Sequence, residues 1–149
     1  MTTENTLKRT LLWFEIAIPN PEPKNVSTQV GVHFEEVAEM LATLDSKDLE
    51  THQAMLTAEA ALKHLSKLLK ERGSLLVDDR YEFADSIGDQ LVTAVGSAYM
   101  FGMNPVGILD EVNRSNFSKF DRNGNPIFDD NRKIIKGSDY TKPDLSNLI

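Results

Sequence analysis

Apolar residues recur along most of the chain at the three- and four-residue spacings that are typical of amphipathic helices. This pattern predicts five helices, at residues 5–18, 26–44, 47–72, 78–101 and 105–118. The proline-rich segment PNPEP at 19–23 separates the first two, since its three prolines cannot continue a helix. Gly73 and Gly102 are natural helix ends, and Asn104-Pro105 is a typical helix start. The pattern therefore predicts an all-α helical bundle.

Each predicted helix has an apolar face that we expect to be buried. In the second helix this face consists of Val26, Val30, Val37, Leu41 and Leu44. In the fourth helix it consists of Phe83, Ile87, Leu91, Ala94, Val95 and Ala98. A chain of 149 residues can bury roughly two thirds of its unfolded surface in one core. We therefore predict a single domain over residues 1–149.

The last part of that domain, residues 120–149, has a different character. The segment FDRNGNPI at 120–127 is followed by the similar segment FDDNRKII at 128–135. Each has turn-forming residues flanked by strand formers, which predicts short β-turn or hairpin structure before an extended tail. A calcium-binding EF-hand loop starting at Asp121 is excluded, because its sixth and twelfth positions hold Pro126 and Arg132 rather than glycine and glutamate.

Composition limits the classes of function. The formal net charge of −7 argues against non-specific binding to a nucleic-acid polymer. The absence of cysteine excludes disulfide scaffolds, zinc–thiolate sites and thiol catalysis. No apolar run approaches the ~20 residues needed to cross a bilayer, and the N-terminal sequence lacks a signal-peptide pattern. We expect a cytoplasmic protein without a membrane partner.

The second predicted helix contains an acidic cluster within an otherwise apolar stretch. The segment HFEEVAEM at 33–40 carries Glu35, Glu36 and Glu39. Like charges this close on a helix repel one another. No lysine or arginine is interleaved with them, in contrast to a typical salt-bridged surface helix. The cluster is therefore either an ordinary solvated face or a site that holds something positive.

The fourth predicted helix has a similar cluster, in the segment YEFADSIGDQLV at 81–92. Glu82, Asp85 and Asp89 stand at i, i+3 and i+7 and so share one helix face. If the second and fourth helices pack together, five or six carboxylates converge. A hard divalent cation relieves their repulsion, and Mg²⁺ prefers carboxylate ligands together with waters and substrate phosphates. The predicted metal ligands are Glu36, Glu39, Glu82, Asp85 and Asp89.

These acidic motifs resemble those of the all-α nucleoside triphosphate pyrophosphohydrolases, which include the MazG-like proteins, dimeric dUTPases and phosphoribosyl-ATP pyrophosphohydrolases. The family pattern is ExxE on one helix and ExxD on a later helix. Glu36 and Glu39 match the first pair, and Glu35 matches a further glutamate of MazG-like members. Glu82 and Asp85 satisfy the second pair literally.

A second register of the ExxD motif is also open. Asp89, followed by Gly96 and Gly102, matches the family's aspartate and its downstream glycines better. This register places Ser86 where the family has a glutamate. All three acids of the fourth helix are therefore retained as candidate ligands.

The resemblance extends into the C-terminal part of the chain and covers most of residues 25–149. The segments EVNRSNFSK and KGSDYTKPD are similar to the end of phage and bacterial MazG-like proteins, which indicates a phage-type member. The matching residues are Asn113, Arg114, Asn116, Lys119, Lys136, Tyr140 and Pro143.

The resemblance implies hydrolysis of a (deoxy)nucleoside triphosphate at the α–β bond, which yields a nucleoside monophosphate and pyrophosphate. It also implies dependence on Mg²⁺, with Mn²⁺ as a substitute, and a homodimer or homotetramer. Glu35 or Glu36 would act as the general base toward water. The expected substrate-binding residues are Asn113 and Asn116 for the base or sugar, Arg114, Lys119 and Lys136 for the phosphates, and Tyr140.

A non-catalytic helical module that uses its acidic surface to bind a protein or store metal is the alternative, and Ser86 is the residue that favours it. A di-iron bundle is disfavoured, because that fold needs Glu-x-x-His on two helices. His33 precedes Glu36 instead, and neither His52 nor His64 has a glutamate three residues before it.

Overall fold

The computed structural model describes residues 6–149, and its regular structure is helical. The five helices are α1 (Thr6–Ala17), α2 (Pro23–Leu41), α3 (Leu49–Arg72), α4 (Arg80–Met100) and α5 (Pro105–Phe117). Residues 6–149 contain no extended β-strand. The predicted all-α class and the five helices are therefore confirmed. Residue 5, the predicted start of the first helix, lies outside the described residues.

Internal contacts divide the chain into two compact units. The first unit contains the chain up to Pro19, Leu76–Ile127 and Ile134–Ile149, and so includes α1, α4 and α5. The second unit contains Asn20–Leu75 and Phe128–Lys133, and so includes α2 and α3. The acidic cluster of α2 thus belongs to the second unit, and that of α4 belongs to the first.

An aromatic cluster forms the core of the first unit. Trp13 and Phe120 stack with their ring centroids 5.7 Å apart, and Ala17 completes the buried cluster. The Trp13 indole N–H donates a hydrogen bond of 2.9 Å to the backbone carbonyl of Asn116, so burial leaves the indole nitrogen satisfied. These contacts join α1 to the C-terminal end of α5.

Small residues of α2 lie at its closest contact with α3 in the second unit, where Leu69 of α3 is buried. Ser27, Thr28, Gly31 and Ala38 are the buried residues of α2, and Ser27 and Gly31 face α3. The Ser27 hydroxyl donates a hydrogen bond of 2.6 Å to the carbonyl of Leu69 on α3. A Cβ atom built on Gly31 would lie 2.9 Å from the carbonyl oxygen of Ser66. The two helix backbones therefore approach closely along this line.

The predicted buried face of α2 is wrong at two of its five residues. Its members Val26 and Leu44 are exposed, whereas Val30, Val37 and Leu41 are half-buried. Helical periodicity identified the larger apolar residues, but the closest contact uses a neighbouring face on which small residues allow the helices to approach.

Replacing Gly31 with alanine tests this close contact. We expect Gly31→Ala to lower the free energy of unfolding by about 1–3 kcal/mol, because the new methyl group collides with a backbone carbonyl that cannot move independently. Gly88→Ala on α4 is the matched control, since nothing lies within 4 Å of its Cβ position. That change should instead stabilise the protein, by about 0.5–1 kcal/mol. Urea unfolding of both variants measures the contrast, and equal effects would contradict the close packing.

The apolar face of α4 is also exposed, contrary to the sequence-based prediction. Within the described part of the chain, none of the residues Arg80–Met100 is buried. Phe83, Ile87, Leu91 and Val95 of the predicted buried face are each more than a third exposed, and Ala98 is half-buried. The periodicity correctly locates an apolar face, but it does not say whether residues of the same chain cover it.

The helix ends agree with the sequence in three places and differ in two. Gly73 and Gly102 adopt left-handed conformations, with φ of 60° and 76°, and Asn104 caps α5 by accepting a hydrogen bond from the Gly107 N–H. However, α2 begins at Pro23, because the fixed φ of proline suits the first helical position. Likewise α3 begins at Leu49 rather than at residue 47, because Asp48 caps it by accepting a hydrogen bond from the Thr51 N–H.

The duplicated C-terminal segments form two turns of the same design. In the first turn the carboxylate of Asp121 accepts hydrogen bonds from the N–H groups of Asn123 and Asn125. In the second, Asp129 accepts from the N–H groups two and four residues later, at Asn131 and Lys133. The fourth residue of each turn has a positive φ, at Gly124 and at Arg132. The eight-residue repeat therefore encodes a repeated turn.

No single helix in residues 6–149 is long and apolar enough to cross a membrane. Only α4 and α5 taken together, which are bent by 113° at the break between them, reach that length and composition.

Candidate functional site

The acidic cluster of α2 is divided between a half-buried carboxylate and two exposed ones. Glu35 is half-buried, whereas Glu36 and Glu39 are exposed. Glu36 and Glu39 are three residues apart on the same helix, so their side chains lie on one face, one turn apart. This arrangement presents two carboxylates to solvent beside a third that the protein partly encloses.

The half-buried carboxylate is held by two lysines. Oε2 of Glu35 accepts hydrogen bonds from Nζ of Lys133 at 2.8 Å and Nζ of Lys70 at 3.1 Å. Partial burial raises the pKa of Glu35, but the hydrogen bonds and positive charges of Lys133 and Lys70 outweigh this effect and lower it below the ordinary value. Glu35 is therefore a stable anion and a weak base.

The two lysines come from separate segments that the fold brings to α2. Lys70 lies on α3, where its side-chain stem passes beside Gly31 at the close contact of the helices. Lys133 ends the second C-terminal turn, which Thr28 of α2 holds by donating a hydrogen bond of 2.8 Å to the carbonyl of Asn131. The sequence prediction did not include either lysine, because no local spacing links them to Glu35.

The acidic residues of α4 are all exposed. Asp79 caps this helix by accepting hydrogen bonds from the N–H groups of Tyr81 and Glu82, which sets where the helix begins. Glu82, Asp85 and Asp89 then follow along one exposed face of α4 in the first unit. These three residues share a face, as predicted, because their spacing of three and four residues matches the turn of the helix.

The chemistry of the acidic residues suits Mg²⁺, although they do not form a complete site on their own. In residues 6–149, no group of three or more histidine or acidic side chains is arranged to hold a metal ion. Mg²⁺ is commonly held by one or two carboxylates together with waters and substrate phosphates, rather than by an all-protein cage. The exposed carboxylates of Glu36 and Glu39 are hard oxygen donors of this kind, so they fit such a partial site.

The predicted substrate residue Asn113 lies in the interior of the first unit. Its side chain is almost fully buried. Its amide oxygen accepts a hydrogen bond of 2.9 Å from the Thr10 hydroxyl, and its amide nitrogen donates one of 3.0 Å to the Thr6 carbonyl. These bonds join α5 to α1. Asn116, one turn further along α5, supplies the backbone carbonyl that binds the Trp13 indole.

Arg114 links α5 to the C-terminal tail. Its guanidinium forms a bidentate salt bridge with Glu111, with distances of 2.7 and 2.9 Å, and donates a hydrogen bond of 2.7 Å to the Thr141 hydroxyl. The same Glu111 carboxylate accepts a hydrogen bond of 2.8 Å from the N–H of Asp144. We call Glu111, Arg114, Thr141 and Asp144 the tail latch. Arg114 and the Asp144 N–H together lower the pKa of Glu111 to about 2.

Protonation of Glu111 should release this latch. The pKa of about 2 in the folded protein is below the ordinary value of 4.5, so the ionised carboxylate stabilises the docked tail above pH 4.5. That stabilisation should be lost as the pH falls from about 4.5 to about 2. NMR signals of the Thr141 and Asp144 amides should report the release.

Glu111→Gln should weaken the docking of the tail already at neutral pH, because the glutamine side chain is neutral. Asp139→Asn is the matched control in the tail, since Asp139 forms only an exposed pair with Arg122 at 3.5 Å. An acid transition of the same amplitude in Glu111→Gln as in the unmodified protein would contradict the latch.

A surface pocket of about 440 Å³ lies beside the tail latch in the first unit. This volume is within the range of small-molecule sites. Its lining includes the charged residues Arg9, Asp110, Glu111, Arg114 and Asp144, together with apolar surface. Of the predicted substrate residues, Arg114 is the one that contributes to this pocket.

The remaining predicted substrate residues pack against aromatic rings of the first unit. Nζ of Lys119 lies 5.9 Å from the centroid of the Trp13 ring, and Nζ of Lys136 lies 4.6 Å from that of Tyr140. Such cation–π contacts hold a lysine amine near an aromatic face. Lys136 and Tyr140 thus form one contact pair within the tail.

Comparisons with known proteins gave no relative: no family model, no curated protein and no solved structure matches the chain.

Proposed function

We propose that the protein is a cytoplasmic, Mg²⁺-dependent nucleoside triphosphate pyrophosphohydrolase of the MazG-like, phage type. It would cleave a (deoxy)nucleoside triphosphate at the α–β bond into a nucleoside monophosphate and pyrophosphate. The proposal combines the acidic motifs and C-terminal segments of the sequence with the exposure of the acidic residues on α2 and α4.

The observation that carries the proposal is the arrangement on α2, where exposed carboxylates lie next to a carboxylate that already binds cations. Glu36 and Glu39 offer oxygen donors, and Glu35 is in contact with two ammonium groups. A magnesium–triphosphate complex would suit both kinds of group, because its metal binds carboxylates and its phosphate oxygens bind cations.

Individual side chains then have distinct roles in the proposed reaction. Glu36 and Glu39 would hold the metal, which supplies charge neutralisation for the phosphates when bound. Glu82, Asp85 and Asp89 of α4 are proposed as metal ligands from their match to the second acidic motif of the sequence. Glu36 is the better of the two candidate bases, since Glu35 is held as a stable anion by its lysines. In the reaction a water oxygen bonds to phosphorus, its proton passes to Glu36, and the bridging oxygen leaves with pyrophosphate.

The exposed apolar face of α4 supports assembly of the proposed enzyme as a homodimer or homotetramer. Phe83, Leu91 and Val95 lie on a face that carries few charges, and such exposed apolar patches commonly mark interaction surfaces. A second copy of the chain is the proposed partner for this face. Sedimentation of the native protein should give at least twice the mass of the chain, 16.7 kDa. Leu91→Arg should reduce it to a single copy, since it places a charge in the centre of the contact.

A panel of common ribo- and deoxyribonucleotides tests the activity itself. With Mg²⁺ present, at least one triphosphate should release pyrophosphate and the matching monophosphate, and Mn²⁺ should also support turnover. Release of orthophosphate with a diphosphate as co-product would show cleavage at a different bond. The absence of turnover across the panel would contradict the proposal.

The binding module remains a second candidate because of two observations. The residues described in the structure contain no preformed group of three metal ligands, and the lysines of Glu35 also suit a structural ion pair. A module of this kind would retain the fold and bind a partner through the acidic face of α2. It would release no pyrophosphate from any nucleotide.

A further inference from the structure

We infer that Lys70 and Lys133 form a binding site for phosphate oxygens, which Glu35 occupies when no substrate is bound. The inference rests on the proposed function, which it deepens by assigning two substrate-binding residues outside the acidic and C-terminal motifs. We call Lys70, Lys133 and Glu35 the lysine clamp. All three residues belong to the second unit.

The geometry of the lysine clamp is that of a two-cation site for one anion. Both ammonium nitrogens bind the same oxygen, Oε2 of Glu35, at 3.1 and 2.8 Å. The two nitrogens therefore lie close to each other even though they come from α3 and from a C-terminal turn. A phosphate group presents oxygens of the same type and charge, so it can replace the carboxylate oxygen between them.

The charges of the three clamp residues favour a ligand that is more negative than Glu35. Two ammonium groups and one carboxylate leave the lysine clamp with a net positive charge. The side chains are only partly accessible, with exposed fractions of 18% for Lys70, 27% for Glu35 and 37% for Lys133. Repulsion between the two partly desolvated ammonium groups is therefore only partly screened by water. A phosphate with more than one negative charge neutralises the pair more completely than Glu35 does.

The position of the lysine clamp along α2 suits a triphosphate. Glu36 is adjacent to Glu35 in the chain, and Glu39 lies one turn further on. A phosphate bound at the two lysines would then be close enough to serve also as a ligand of a metal held by these two carboxylates. In contrast, Arg114 belongs to the first unit and is engaged by Glu111 and the tail. Within the second unit, Lys70 and Lys133 contact the acidic cluster directly, through Glu35.

Binding of inorganic pyrophosphate to the full-length protein in EDTA tests the lysine clamp without turnover and without metal. Titration calorimetry should show that Lys70→Ala and Lys133→Ala each weaken pyrophosphate binding by about tenfold or more, as expected for loss of a charge-assisted hydrogen bond. Lys67→Ala is the matched control, since it removes the same charge from an exposed site on α3 that is paired with Glu71 at 3.9 Å. It should change the affinity by less than about twofold.

The variant Glu35→Gln should change the affinity for pyrophosphate in the opposite direction. Misfolding would lower this affinity, so it cannot mimic a gain. Removing the carboxylate of Glu35 should strengthen metal-free pyrophosphate binding by about tenfold, because pyrophosphate no longer has to displace this carboxylate from the two lysines. A purely structural ion pair predicts no gain. Unchanged or weaker binding in Glu35→Gln, or equal effects of Lys70→Ala, Lys133→Ala and Lys67→Ala, would overturn the inference.

These results are distinguishable from failure of the proposed function. If the nucleotide panel shows no turnover but pyrophosphate binding follows the expected pattern, the lysine clamp stands as a phosphate site and the enzymatic proposal fails. If turnover occurs and the lysine variants bind and turn over like Lys67→Ala, the enzymatic proposal stands and the lysine clamp fails.

Discussion

Glu39→Gln is expected to lower the rate of pyrophosphate release by about 100-fold or more, with no change in helix content. Loss of an outer-shell partner of a metal ligand typically costs about 10–100-fold, so loss of a direct ligand should lie at the upper end of this range. Glu39 is exposed on α2, and glutamine preserves its size while removing its charge. Steady-state kinetics with the best nucleotide of the panel, together with circular dichroism, make the measurement.

A matched control separates the metal site from the general loss of negative charge. Glu71→Gln removes a carboxylate from α3, where Glu71 forms only a 3.9 Å pair with Lys67. It should retain turnover within about twofold, because exposed pairs of this kind contribute little. Higher Mg²⁺ should partly rescue Glu39→Gln but not affect the control. A variant Glu39→Gln that is as active as the control would contradict the role of this residue.

Trp13→Ala is expected to lower the free energy of unfolding by about 3–5 kcal/mol. The side chain is 7% exposed, and three of its contacts hold it in the core of the first unit. Its ring stacks on Phe120, meets Phe14 edge to face at 4.9 Å and donates a hydrogen bond to the Asn116 carbonyl. Alanine leaves a cavity and removes the indole hydrogen bond, although the Asn116 carbonyl still accepts one from the Lys119 N–H. Urea denaturation measures the loss.

Two further variants divide this effect into its parts. Trp13→Phe keeps an aromatic ring in the cluster but removes the indole N–H, so we expect a smaller loss, of about 1–3 kcal/mol. Lys8→Ala changes an exposed residue of the same helix and should remain within about 0.5 kcal/mol of the unmodified protein. If Trp13→Ala is no more destabilising than Lys8→Ala, the aromatic cluster does not stabilise the first unit.

Much of the helical structure could be predicted from local signals. The glycines at 73 and 102 end helices because their positive φ is accessible to a residue without a Cβ. Asn104 and Pro105 begin α5 because one supplies a side-chain acceptor and the other a fixed φ. These effects depend on a few neighbouring residues, so periodicity and capping rules are sufficient to find them.

The packing could not be predicted in the same way, because it depends on which element covers each face. The apolar residues of α4 were correctly placed on one face, yet that face is exposed in the single chain. In α2 the small residues Ser27 and Gly31 lie at the closest contact instead of the larger valines. Burial of a side chain depends on the shape of the helix that packs against it. The hydrophobic pattern of one helix contains no information about that shape.

Of the candidate site, only the acidic residues could be predicted from the sequence. The spacing of Glu36 and Glu39 fixes their common face, and the structure leaves both exposed. The lysines that bind Glu35, at positions 70 and 133, are 35 and 98 residues away from it along the chain. Such pairs arise only when the fold brings distant segments together. The role of Asn113 as a buried link between helices likewise depends on α1.

Uptake of Mg²⁺ in the presence of a non-hydrolysable nucleoside triphosphate analogue tests the central claim most directly. Calorimetry should show that the complete protein binds Mg²⁺ together with the analogue, and that Glu36→Gln and Glu39→Gln each weaken this uptake by about tenfold or more while Glu71→Gln does not. If the protein takes up no divalent ion with the analogue bound, or if all three variants take it up equally, the acidic face of α2 is not a metal site and the proposed enzyme is contradicted.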